Sequence, residues 1–410
     1  MNILFAVHGY KPAWRIGGPV MSVSALAETL VARGHHVTVF TTNSNLDQDL
    51  DVPTDRLVDV QGVQVRYFRR EELLKRYLPN TKYLSQSIGT MYTPEMAGEL
   101  RARAGQFDLM HTHIPFVYPT IAAAKAARRD KLPLFYHQRG VFDPERLRFR
   151  GLKKRVYLSL IEKPILRQAT TLIALTEAER ASYAALGIRT PCRVIPNGIS
   201  LPAPVDAGQD DDELRSLGIR PQHKVVLFMG RLHPIKGADR LLAAFERMAQ
   251  LQPDALLVLA GPDEHNIESG FADRARRVGL ADRVIFPGMV SGERKAALLR
   301  RANLFCLPSD AEGFSMAILE AMANATAVLI SPGCHFPEVA SANAGLIVPP
   351  TVEALERALG QMLADAQRLG LMGEAGKALV AAHYTWDTIT TQMLDAYAEG
   401  IARFRQHSKS

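Results

Sequence analysis

Two carboxylates eight residues apart, Glu312 and Glu320, stand in the stretch PSDAEGFSMAILEAMAN, Pro308–Asn324. An apolar run, Leu304–Leu307, precedes it, and an amphipathic pattern follows Gly313. A strand, a glycine turn and a helix start leave free backbone amides and the positive end of a helix dipole pointing into the turn. Such a place suits an anion. A carboxylate beside it is poorly suited to phosphate but well suited to hydroxyls carried by that phosphate. The stretch therefore reads as a pocket for a phosphate-bearing sugar or nucleoside. The alternative is an ordinary αβ unit with Glu312 as a helix-start acid and Glu320 solvated. A second constellation is Gly230-Arg231-Leu232-His233-Pro234-Ile235-Lys236-Gly237. Arg231 and Lys236 flank a proline-containing loop that opens a helix. Paired cations with helix-start amides can stabilise charge on a phosphate group without a metal, although as a bare pattern two surface cations usually mean nothing.

Elements of one recurring kind must position these groups. Strands are expected at Ile3–Val7, His36–Phe40, Val63–Phe68, Leu109–Thr112, Leu134–Tyr136, Thr171–Leu175 and Arg193–Ile195. Helical periods fall near Val20–Arg33, Pro94–Ala104, Pro119–Arg129, Leu152–Gln168 and Glu177–Leu186. Leu201–Asp212, rich in Pro, Gly and acid, reads as a linker. Strands resume at Val225–Met229, Leu256–Leu259, Arg283–Phe286, Leu304–Leu307, Ala327–Ile330 and Gly345–Val348. This alternation implies two α/β domains with parallel sheets covered on both faces, with ligands beyond the strands' C-terminal ends. The expected division is residues 1–200 and 201–387.

The pattern Glu312-x7-Glu320, with Gly313-Phe314 after the first Glu and Ala321-Met322-Ala323 after the second, resembles the signature of the family 4 retaining glycosyltransferases. The family pattern usually continues with a small residue, Gly, a variable residue and Pro, where this chain has Asn324-Ala325-Thr326-Ala327. The resemblance spans nearly the whole chain. It implies the GT-B fold, two Rossmann-like domains facing a central cleft, with the last helix, 388–410, returning to the N-terminal domain. It implies a nucleoside diphosphate sugar as donor and a glycan or lipid-linked acceptor. No cofactor and no metal are implied. Arg231 and Lys236 match the family's residues at the donor phosphates. Gly313, Phe314 and Ser315 offer backbone amides, Glu312 takes donor-sugar hydroxyls, and Glu320 takes ribose hydroxyls.

The N-terminal half adds three loops. Gly17-Gly18-Pro19 is not a G-x-G-x-x-G turn, and Thr41-Thr42-Asn43 lacks the acid that would hold an NAD ribose. By resemblance this loop approaches the donor diphosphate and the acceptor. In Asp108-Leu109-Met110-His111-Thr112-His113 the strand period places His111 and His113 on one face. His113 matches the family histidine that contacts the donor sugar. A buried structural histidine is the alternative, and a metal lacks a third ligand at defined spacing. By resemblance the loop His137-Gln138-Arg139-Gly140 borders the cleft, where a basic residue can face phosphate, and Arg139 rather than His137 is expected to do so. Gly261-Pro262 and Phe286-Pro287-Gly288 with Val290 are expected to line the nucleotide pocket. Ile195-Pro196-Asn197-Gly198 reads as a structural turn tolerant of left-handed geometry.

Composition sets bounds. The 410 residues, 47% apolar and 22% charged, suit a soluble two-domain protein. No apolar run approaches the ~20 residues of a membrane span, and MNILFAVHG lacks a basic signal-peptide start. Cys192, Cys306 and Cys334 show no metal or pairing pattern. Cys192 and Cys306 are expected to be buried thiols in a reducing cytoplasm. Residues 1–205 hold 28 basic against 17 acidic side chains, net +11, whereas residues 206–410 are net −4. The basic half, with RLRFRGLKKR at Arg146–Arg155, admits peripheral contact with the anionic inner face of a cell membrane. No feature calls for nucleic acid. Acceptor contacts are expected in loops such as Leu73–Thr93. A nucleotide-sugar epimerase of similar shape and a non-catalytic sugar-binding protein stand as the other readings.

Overall fold

A computed structural model of the chain describes residues 1–46, 48–71, 91–142, 155–203, 210–263 and 266–407. The chain divides into two compact units. The first takes Met1–Gly198 and returns at Trp386, and the second is Ile199–Thr385. Each is an α/β unit around one main sheet.

The first sheet contains eight strands. In chain order they are β1 (Asn2–Ala6), β2 (His36–Thr42), β5 (Val58–Val60), β6 (Val63–Phe68), β7 (Leu109–His113), β8 (Leu134–His137), β9 (Thr171–Ala174) and β10 (Cys192–Val194). A small ribbon, β3 (Ser44–Asn45) with β4 (Gln48–Asp49), stands apart. Across the sheet the order is β10-β9-β8-β7-β1-β2-β6-β5, parallel except at the β5 edge. Alternation along each strand feeds two cores. Leu4, Met110, Tyr136 and Leu172 pack on one face against helices Pro94–Arg103, Tyr118–Arg129 and Lys163–Gln168. Phe5, Leu109, Phe135 and Ile173 pack on the other, beneath helices Gly18–Ala32 and Trp386–His407.

The second sheet is wholly parallel. Its strands are β11 (Lys224–Met229), β12 (Ala255–Ala260), β13 (Val284–Gly288), β14 (Leu304–Leu307), β15 (Ala327–Ile330) and β16 (Gly345–Ile347), ordered β13-β12-β11-β14-β15-β16. The order reverses between β11 and β14, so the loops after these two strands emerge side by side. In such sheets that switch point is where ligands bind.

The last helix joins the first unit through Arg33 with Asp387, Arg193 with Glu399 at 2.7 Å, and Tyr397 in the sheet-facing core. Several expectations need correction. The hairpin strand β5 goes unmarked by the strand pattern, although Gln61-Gly62, both at positive φ, is its turn. The expected linker ends too late: Asp211–Ser216 is helical, and Asp210 pairs with Arg300 at 2.5 Å. The Pro-Asn-Gly turn is not left-handed at Asn197 or Gly198. A Cβ on Gly198 would lie 2.7 Å from the Trp386 ring, so close approach is the reason for glycine there. Of the thiols, Cys306 and Cys334 are buried, whereas Cys192 on the edge strand is half-buried. Most of the acceptor loop Leu73–Thr93, the basic run up to residue 154, the start of the helix expected at Leu152–Gln168 and residues 204–209 of the linker lie outside the described residues.

Candidate functional site

In the second unit the two sequence constellations meet. The loop after β11 turns through Pro234–Lys236, capped by His233 Nδ1, which accepts from the Ile235 amide at 3.1 Å. Gly237 follows at φ +72°, and a Cβ there would come within 2.3 Å of the Pro308 carbonyl oxygen. Only glycine lets this backbone lie against the loop after β14. The two loops are then stitched together. The Asp310 amide donates to Ile235 O at 2.8 Å, Ser309 Oγ donates to the same oxygen at 3.0 Å, and Arg240 grips both oxygens of Asp310 at 2.7 and 2.9 Å. A third loop joins them, since the Glu312 amide donates to Gly333 O at 2.8 Å.

This scaffold sets Lys236 Nζ 2.5 Å from Glu312 Oε1. Glu312 is only 6% exposed. An ammonium has three donors, so one bond to Glu312 leaves two for a ligand. Helix Met316–Ala323 begins three residues beyond Gly313, with Ser315 as its N-cap. Its first amides have no acceptor within the helix. Phe314, just before the N-cap, packs its ring on Phe336 and Tyr384, at centroid distances of 5.5 and 6.2 Å. Glu320, the fifth residue of the helix, accepts from Lys295 Nζ at 2.7 Å. Lys295 comes from helix Gly292–Arg301, and no sequence spacing marks it. Arg231 is exposed just beyond the end of β11. The neighbouring strand ends are tied in by backbone, Leu232 N to Pro262 O at 2.9 Å and Gly261 N to Gly288 O at 2.8 Å.

The first unit gathers a different set. Register pairs His113 on β7 with His137 on β8. His111, His113 and His137 are all buried, with ring centroids 4.1 to 5.9 Å apart. They are the third-ligand geometry that sequence spacing does not reveal, with their nearest nitrogens within 4.8 Å of one another. Burial holds all three well below the ordinary imidazole pKa, and Arg139 reinforces the effect. His111 Nδ1 bonds Tyr397 Oη at 2.7 Å, and Phe5 packs edge-on against His111 and His113.

Arg139 covers this cluster. It has φ +52° and precedes Gly140 at φ +76°. Its Nε donates to His113 Nδ1 at 3.2 Å, and its Nη1 donates to Ser22 Oγ at 2.7 Å and Asn197 Oδ1 at 3.0 Å. Burial pushes its pKa down to about 10. Gly17, at φ +93°, caps helix Gly18–Ala32, and Ser22 in that helix donates in turn to Gly18 O at 3.1 Å. Beyond His113 the chain carries two non-glycine residues at positive φ, Ile114 at +70° and Phe116 at +64°. Such strain collects at ligand sites. Here it is enforced by Ile114 N to His137 O at 2.8 Å and Phe116 N to the buried Glu162 at 2.7 Å. Burial raises the Glu162 pKa, while the bonds it accepts from the Phe116 amide and from Tyr136 Oη at 2.7 Å oppose that shift.

Of the sequence candidates, Arg231, Lys236, Glu312, Gly313, Phe314, Ser315 and Glu320 lie on two adjacent loops and one helix of the second unit. Gly17, Gly18, His113 and Arg139 lie together in the first, joined through Ser22. His137, Asn197, Ser22, Tyr397, Glu162 and Lys295 enter only through the fold. Among the described residues, no helix is long and apolar enough to cross a membrane.

Residues 209–379 match the model of the glycosyl transferases group 1 family, and residues 17–198 match the glycosyl transferase 4-like domain. The chain is 27% identical over 398 residues to the D-inositol 3-phosphate glycosyltransferase of Jonesia denitrificans, covering 93% of this chain and 91% of that protein. Sucrose-phosphate synthase from Thermosynechococcus elongatus superposes with a TM-score of 0.73 at 25% identity, over 98% of this chain and 99% of that one. HepE of Anabaena, in complex with UDP and glucose, gives 0.73 at 19% identity, over 97% of this chain and 100% of that one.

Proposed function

Because the chain belongs to the family 4 glycosyltransferases of GT-B fold, we propose that it is a metal-independent, retaining hexosyltransferase. It passes a sugar from a nucleoside diphosphate sugar to a hydroxyl of a glycan or lipid-linked acceptor. The setting is bacterial surface polysaccharide or lipid-linked glycan synthesis, at the cytoplasmic side of a membrane that the basic half touches peripherally. The observation that carries the reading is the Lys236–Glu312 pair, held at 2.5 Å beside the start of helix Met316–Ala323.

Breaking the glycosidic bond puts charge on the departing diphosphate. Arg231 and the two remaining Lys236 donors take that charge, with the amides around Gly313, Phe314 and Ser315. Fixed cations at this point do the work a divalent ion would otherwise do, so no metal is required. Glu312, its charge partly met by Lys236, accepts from donor-sugar hydroxyls. Glu320, steadied by Lys295, accepts from the ribose. His113 positions the sugar, and the Gly17-Gly18 loop approaches the diphosphate and the acceptor. Retention leaves two routes, a covalent enzyme intermediate or same-face attack. Since none of the groups assigned here is a nucleophile on the sugar, the acceptor oxygen attacks on the face the diphosphate leaves, and its proton passes to the departing phosphate oxygen.

A panel of nucleoside diphosphate sugars, incubated with and without acceptor extracts, tests the reading. Free nucleoside diphosphate should appear in proportion to a glycosylated product, unchanged by chelator, with the donor's anomeric configuration kept. A changed nucleotide sugar without acceptor would identify an epimerase. Binding without turnover would identify a sugar-binding protein. A trapped glycosyl–carboxylate adduct would replace same-face attack by a covalent route.

A further inference from the structure

We propose that Arg139 is a positioning residue that fixes the tautomer of His113, making that histidine a hydrogen-bond donor through Nε2 and unable to serve as a base. A guanidinium has no lone pair and can only donate. The 3.2 Å contact from Arg139 Nε therefore requires His113 Nδ1 to accept. A neutral imidazole has one accepting and one donating nitrogen, so the proton sits on Nε2. Protonating Nδ1 as well would turn an N–H toward an N–H and a cation toward a cation, in a site buried from water. The surroundings oppose the cationic form too, since Arg139, His111, His137 and His8 all act on His113 in the same sense as burial.

The arginine is placed with unusual thoroughness. Its three bonds go to neutral acceptors from three separate elements: His113 at the end of β7, Ser22 in helix Gly18–Ala32, and Asn197 in the Pro-Asn-Gly turn. The backbone reaches this position only through consecutive positive φ values at Arg139 and Gly140. Such strain persists where surrounding bonds over-determine it. The same contact bears on the histidine trio. A His113 whose Nδ1 accepts from arginine keeps a proton on Nε2, where a metal would need a lone pair. Among the described residues, His113 Nε2 is buried and has no hydrogen-bond partner. A buried donor left unmet in a native fold asks for a ligand. On the sugar-transfer reading, a donor hydroxyl or ring oxygen completes it.

The tautomer can be read directly on the full-length, ligand-free protein labelled with 15N-histidine. Loss of one resonance set in His113→Gln assigns His113 among the 12 histidines. Two-bond proton–nitrogen correlations from pH 6 to 8 should show a protonated Nε2 and a bare Nδ1, and Arg139→Met should scramble that pattern. A protonated Nδ1, or a cationic ring, in the unmodified chain overturns the proposal without any variant having to fold. Turnover supplies the second readout. The Gln amide nitrogen stands where Nε2–H stands, so His113→Gln should keep kcat within about tenfold, whereas His113→Leu should lose ~10²-fold. Equal losses in both would overturn the donor role. If the tautomer is as stated but no donor turns over, it is the sugar-transfer reading that fails.

Discussion

In the first unit, Arg139 is held by a histidine, a serine and an asparagine. In the second, Lys236 and Arg240 each rest on a carboxylate, and the loops carrying them are sewn together through their backbones. The first arrangement depends on three buried histidines staying neutral. The second depends on charge pairs. The difference teaches that the two units respond to different insults: protonation threatens one, and backbone misfit threatens the other.

Acid should break the comparison most visibly. Each of His111, His113 and His137 has a folded pKa below the unfolded value near 6.5. Their neutral burial gives its full stability above that pH. Below it the unfolded chain binds protons that the folded one refuses, so stability is lost as pH falls. At ~1.4 kcal/mol per group per pH unit, three groups cost about 4 kcal/mol per unit below pH 6. Calorimetry from pH 7 to 5 should show a transition belonging to the first unit moving sharply down while the other lags. Parallel movement of both would erase the distinction.

Next in size is the effect of removing the cations of the second unit. Arg231→Ala and Lys236→Ala should each lower turnover by ~10²-fold or more, with little change in the pH response above. Near-normal turnover in both would remove the leaving-group role and leave the Lys236–Glu312 pair as a structural brace.

The two regions also differ in how much of them could be read from the sequence. Glu312, Gly313 and Glu320 lie within one strand–turn–helix, and Lys236 lies on the loop of the adjacent strand. Local spacing therefore marks most of this candidate site. Most strands of the two main sheets are readable because they are short apolar runs, whereas the hairpin strand β5, with Asp59 at its centre, is not. Arg139's partners come from Ser22, His113 and Asn197, and His111 meets Tyr397 from 286 positions away. Nothing local announces such meetings. Sequence marks Arg139 as a basic residue just after a strand and expects it to face phosphate, whereas its guanidinium meets His113, Ser22 and Asn197. Lys295 was missed for the same reason, as a lysine on an otherwise ordinary helix whose partner is set by packing.

Tyr397→Phe probes the side-chain-built region more gently. It leaves the ring in the core and removes only the hydroxyl 2.7 Å from His111 Nδ1. Leaving a buried nitrogen without that partner should cost about 1–3 kcal/mol. The first-unit transition should fall by several degrees, with the second unchanged.

The smallest effect should come from the backbone-built region, and with the opposite sign. Ala325 follows the C-cap Asn324 of helix Met316–Ala323 and stands at φ +57°, where helices commonly place glycine. It cannot relax away from that angle. Thr326 N is bonded to Ala321 O at 3.0 Å, and the Ala325 carbonyl lies so close to helix Ala366–His383 that a Cβ on Gly373 would sit 1.9 Å from its oxygen. The left-handed conformation costs an alanine roughly 1–2 kcal/mol. Glycine removes that cost but adds about 0.4–1 kcal/mol of unfolded-state freedom. Ala325→Gly should therefore raise stability by about 0.5–1 kcal/mol, a shift of roughly 1–4 °C for a unit of this size, confined to the second-unit transition. If Ala325→Gly instead lowers that transition, the alanine is not strained there, and the claim that the second unit is limited by backbone fit fails at the place where it is easiest to check.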